Sequence, residues 1–101
     1  MDYLEELKAK IRMSHGCEST HRQTVSVKEV FQGEVVWDGD VEVFDLIDHA
    51  KAKRCFAWGY PNKRNPYRLD AVAVLESPRV VSPETAVRAA IAVQSESRIN
   101  R

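Results

Sequence analysis

The sequence predicts an α+β domain with element order α-β-β-β-β-α: a four-stranded, mainly antiparallel sheet with two helices packed against one face. Three observations carry this expectation. Apolar residues recur at helical spacing only near the two ends of the chain. Between those ends apolar and polar residues alternate with the period of two that half-buried strands require. The links between the middle segments are short, which favours antiparallel neighbours.

Residues 2–14 read as the first helix. Asp2 is placed to cap the first turn, with Glu5 three residues on as in a capping box. Leu4, Leu7 and Ile11 form one stripe with Tyr3 beside it, and Gly16 suits the C-terminal stop. Residues 15–20 form a polar connector. Val25, Val27 and Phe31 then share one face of a first strand, and Gln32-Gly33-Glu34 reads as the hairpin turn. Pairing Phe31 with Val35, Val27 with Gly39 and Val25 with Val41 sets apolar or small residues against each other, so this register is expected. In the second strand Val35, Trp37, Val41 and Val43 point one way; Asp38, Asp40 and Glu42 point the other and read as a solvated face. Residues 45–54 cross to a third strand, with Phe56, Trp58 and Tyr60 on one face and Cys55, Ala57 and Gly59 on the other. Pro61 and Pro66 bracket a loop, because neither can donate to a ladder. Residues 69–75 are almost wholly apolar, as in a strand covered on both faces or near the middle of the sheet. Ser82, Pro83 and Glu84 are a helix start, followed by the small-residue stripe Ala86, Val87, Ala90 and Ile91. The domain is expected to span residues 1–97, with a frayed tail beyond; fraying is expected from Ser95.

A chain of 101 residues, 44% hydrophobic and 30% charged, is the size and composition of one globular domain. With 15 basic and 15 acidic side chains it carries no net field toward nucleic acid or a membrane, so such attraction would need a local patch. No apolar run is long enough to span a bilayer, and the acidic N-terminus does not read as a signal peptide, so a cytoplasmic protein with both cysteines reduced is expected.

The charge is partitioned along the chain. Seven acids and no Lys or Arg lie between Glu29 and Asp48; six bases and no acid lie between His49 and Leu69. The basic segment interleaves Phe56, Trp58, Tyr60 and Tyr67, and aromatic rings beside cations suit stacked bases and phosphates. The competing explanation places the rings in the core and pairs the charges across strands. His49, Arg54, Trp58, Tyr60, Lys63, Arg64 and Arg68 are therefore the candidate residues for ligand or nucleic-acid binding through the hairpin 51–68. The leading expectation is a non-enzymatic binding or protein-interaction module that uses an open sheet face or edge, with a homodimer as one form of partnership, no cofactor and no catalytic residue assigned.

The enzyme or metal alternative rests on His15, Cys17 and His21, together with His49 and Cys55. Imidazole and thiolate are natural zinc ligands, but the spacing H-x-C-x3-H matches no standard finger. Cys17 follows a helix end, where the dipole disfavours a thiolate. No P-loop, Rossmann fingerprint or nucleophile elbow is present.

The element order resembles that of double-stranded-RNA-binding domains, with one strand more, and with Ser82-Pro83-Glu84 where that family has a basic helix start. At SHGC followed by His21, and at VWDGDVEVFDL-x-x-H-x-KAKRC-x-AW, the chain resembles small uncharacterised bacterial proteins, some found among mobile genes. The resemblance runs from Ile11 to about Ile91. It implies a stand-alone bacterial cytoplasmic protein and transfers no activity and no site residue.

Overall fold

Thirteen residues on each side of a tight turn make one long hairpin, β1 (Ser19–Phe31) and β2 (Glu34–Leu46). Gln32 and Gly33 both take positive φ (52° and 78°), as a two-residue turn matched to strand twist requires. A shorter hairpin follows, β3 (Arg54–Pro61) and β4 (Leu69–Leu75). The sheet is antiparallel in the order β1-β2-β3-β4, with β4 at an edge rather than near the middle, flanked in sequence by α1 (Tyr3–His15) and α2 (Pro83–Ile99). The computed structural model describes residues 2–62, 64–65 and 67–99, with side chains up to residue 93. The α+β class, the element order and the antiparallel sheet are as the sequence predicts.

The two helices do not share a face. Val43 pairs with Phe56, and the next positions, Phe44 and Cys55, pair on the opposite side of the pleat. Leu7 and Ile11 of α1 pack with Phe44, Cys55 and Ala57. Ala86 and Val87 of α2 pack with Val41, Val43, Phe56 and Trp58. The expected sheet face opposite both helices is therefore absent over β3 and β4. The reason is shape. The α1 face of these strands is built of small residues, Cys55, Ala57, Ala71 and Ala73, and accepts large helical side chains. The α2 face carries Phe56 and Trp58 and accepts a helix of small ones. Apolar area is removed from water on both sides at roughly 25 cal/mol per Å².

Local signals hold. The Asp2 carboxylate accepts the Glu5 N–H at 2.9 Å, and Gly16 closes α1 in the left-handed region. Ser82 Oγ accepts the Thr85 N–H, and Thr85 Oγ1 accepts the Ser82 N–H. Val25↔Val41 and Val27↔Gly39 pair as expected, but the hairpin end pairs Phe31 with Glu34 and Val30 with Val35, because the ladder shifts between Glu29 and Val30. α2 continues through residues 95–99, where fraying is expected. Among the described residues, no helix is long and apolar enough to cross a membrane.

Candidate functional site

The sheet forks. β2 and β3 pair only from Glu42↔Ala57 to Asp45↔Arg54, although β2 begins eight residues earlier and β3 runs on to Pro61. Leu46 N–H donates to Lys53 C=O (2.8 Å), which sets the even-numbered residues of β2 to aim their main-chain groups at β3. Glu42 is the last of these with a β3 partner. Asp40 and Asp38 follow in the same phase beyond the end of the ladder.

The gap is a cleft of about 640 Å³, inside the roughly 300–1,000 Å³ usual for ligand sites. On its α1 side stand Tyr3, Asp38, Asp40 and Glu42; on its α2 side stand Trp37, Trp58 and Tyr60. Two strand glycines permit this geometry. A Cβ at Gly39 would come within 3.1 Å of the Trp37 ring, which lies over it and meets Trp58 edge-on at 5.6 Å. A Cβ at Gly59 would lie 2.8 Å from the Tyr3 ring. The Tyr3 hydroxyl instead accepts the Gly59 N–H at 2.8 Å, taking the place of a neighbouring strand. Burial, with Glu42 and Asp40 nearby, raises the Tyr3 phenol pKa against the lowering effect of that bond.

Glu42 closes the base of the fork. It is only 5% exposed, and its carboxylate lies 2.8 Å from His21 Nε2 and accepts the Thr24 hydroxyl. The solvated face expected for Asp38, Asp40 and Glu42 thus holds for the first two alone. His21 stands edge-on to Phe44, so the pair is held by packing as well as by its hydrogen bond.

The remaining candidates do not converge. Trp58 is 4% exposed and belongs to the core, so the stacking platform expected across Phe56, Trp58 and Tyr60 is not formed. Arg54 lies 3.8 Å from Asp45, which also binds Arg22 at 3.2 Å. His49 Nδ1 accepts the N–H groups of Lys51 and Ala52 and organises the crossing loop. Tyr60, Arg64 and Arg68 are exposed, as is Tyr67 at 98%. Lys63 lies outside the described residues. His15 bonds the Ala73 carbonyl at 2.9 Å, while His21 is taken by Glu42. Among the described residues, no three His, Cys, Asp or Glu side chains are placed to share a metal ion. Burial pushes the Cys55 thiol up to about 12, the opposite of an activated nucleophile.

No family model, curated protein or solved structure matches the chain.

The end of the long hairpin carries a second surface, which sequence patterning did not separate from core. Phe31 is 64% exposed, and Val30, Val35 and Val36 are each about half exposed. Val30, Phe31 and Val36, together with Ile91 and Ala92 of α2, border an apolar groove of about 500 Å³. The Arg88 guanidinium bonds Glu29 and ties α2 to β1 beside it.

Proposed function

We propose that the protein is a non-enzymatic interaction module whose working surface is the outer half of the β1–β2 hairpin. The observation that carries this is the apolar tip: Val30, Phe31, Val35 and Val36 are all exposed, and Val30, Phe31 and Val36 line a groove with α2. Contiguous apolar surface of this kind marks protein contacts more often than it marks neutral surface. Apolar contact is non-directional, so such a patch is complementary to itself across a two-fold axis, and a second copy of the chain is the partner. Nucleic-acid binding through residues 51–68 has less support, since Trp58 is buried and Arg54 is engaged by Asp45. Cysteine or metal chemistry has less still, because His15 and His21 serve separate partners. Two free cysteines, one of them buried, fit a reducing compartment such as the cytoplasm.

Sedimentation equilibrium across a wide concentration range tests the reading. The wild-type chain should pass from monomer to dimer. Phe31→Ser with Val36→Ser should shift that transition to concentrations at least tenfold higher, about 1.4 kcal/mol or more, with an unchanged circular dichroism spectrum. A wild-type chain that stays monomeric into the millimolar range would refute it.

A further inference from the structure

The cleft where the sheet forks involves a different part of the hairpin from the tip and carries an inference of its own. We propose that it accepts one extended strand from a partner protein, in which basic side chains alternate with apolar ones.

Three independent features converge on that occupant. The first is the main chain. Asp38 and Asp40 aim their N–H and C=O groups into the gap from β2, beyond the end of the β2–β3 ladder. Gly59 faces them from β3, its N–H held by a phenol rather than a strand. An extended segment entering here gains main-chain hydrogen bonds from Asp38 and Asp40, and on the β3 side replaces the Tyr3 hydroxyl at the Gly59 N–H, the physics of strand addition.

The second feature is the asymmetry of the walls. A strand presents successive side chains to opposite faces. On the α1 side an incoming strand meets Asp38, Asp40 and Glu42; on the α2 side it meets Trp37, Trp58 and Tyr60. Beneath those rings a small apolar cavity of about 110 Å³ continues toward Val87 and Ile91 of α2, room for one apolar side chain. The two-residue period of the ligand is thereby dictated by the walls.

The third feature is charge. Asp40 accepts the Ser26 hydroxyl at 2.9 Å, and Lys28 lies opposite Asp38 in the ladder, yet among the described residues neither Asp38 nor Asp40 is in a salt bridge. Two carboxylates on the α1 wall favour ammonium or guanidinium groups there by charge-assisted hydrogen bonds.

The test uses the full chain and a capped hexapeptide of alternating valine and lysine. Three controls accompany it: the same peptide with glutamate for lysine, a block arrangement of the same valines and lysines, and spermidine. Amide resonances and tryptophan fluorescence report binding. The expected result is saturable binding of the alternating peptide, with slowed exchange at the Asp38 and Asp40 amides. Asp38→Asn with Asp40→Asn should weaken it about tenfold or more, and the glutamate peptide should not bind. Equal binding of the block peptide or of spermidine would reduce the cleft to a cation site and overturn strand insertion. So would the absence of peptide binding, or resonance shifts confined to the apolar tip or to residues 64–68.

Discussion

Cys55 has no exposed surface and lies against Phe44, Ala57 and the α1 side chains Leu7 and Ile11. Its thiol is kept neutral mainly by desolvation, with Cys17 adding to the effect. An ordinary thiol titrates near 9.0, and this one only near 12. Below 9.0 both folded and unfolded chains hold the proton, and the neutral thiol contributes its full share of stability. Above it the unfolded chain loses the proton first, so the unfolded state gains and stability falls as pH rises toward 12. Urea unfolding between pH 8 and pH 11 should show a steeper loss for the wild-type chain than for Cys55→Ala, by up to about 1.4 kcal/mol per pH unit. Parallel slopes would mean that Cys55 reaches water in the folded state. Tyr3 moves in the same direction for the same first cause, but it is present in both chains and cancels from the comparison. The buried Glu42 carries the other residue-scale lesson. It occupies the polar phase of β2 with Asp38 and Asp40, yet it is enclosed, because His21 and Thr24 supply the partners that make burial tolerable.

At the scale of elements, α1 is held by few contacts of high quality. Leu7 and Ile11 are its fully buried side chains, whereas Met13 points to solvent at 86% exposure. Leu7→Ala should cost about 2–5 kcal/mol, and Met13→Ala should leave the urea midpoint within experimental error. Equal effects would mean that α1 does not dock as described. The caps of both helices were legible because they depend on neighbours only a few residues away: Asp2 with Glu5, and Ser82 with Thr85. The centre of the first hairpin was legible because Val25, Val27 and Val41 leave one good register. The side of the sheet taken by α1 was legible only in part, in the doubly apolar residues 69–75. In β3 and β4 both phases are apolar, Phe56 and Trp58 on one and Cys55, Ala57, Ala71 and Ala73 on the other, and a doubly apolar strand needs cover on both faces. The fork also left a trace. Gly39 and Gly59 stand inside strands, where glycine marks a close approach by another group. Which group approaches depends on Tyr3, far off in sequence, and no local pattern specifies that.

For the whole molecule, a helix on either face makes a three-layer arrangement, α1 chiefly over β3 and β4 and α2 chiefly over β1 and β2, and the turn end of the first hairpin extends past the end of the β2–β3 ladder. Local opening should follow that plan, since stability is lowest where buried contacts are fewest. Native-state amide exchange should be slowest in residues 43–44 and 55–57, and fastest near Gln32 and Gly33 among the strand and turn amides. Uniform protection along β1 and β2 in a dilute sample would contradict a projecting hairpin. The bond from the Tyr3 hydroxyl to Gly59 N–H has a practical consequence as well. It fixes the start of α1 at the rim of the cleft, so any segment joined ahead of Asp2 emerges there. A polyhistidine tag fused at that end is a tethered polycation in mildly acidic buffer, held beside Asp38 and Asp40 at an effective concentration in the millimolar range. Affinities measured with such a tag in place would report competition with it, and tag removal is a condition of the peptide experiment.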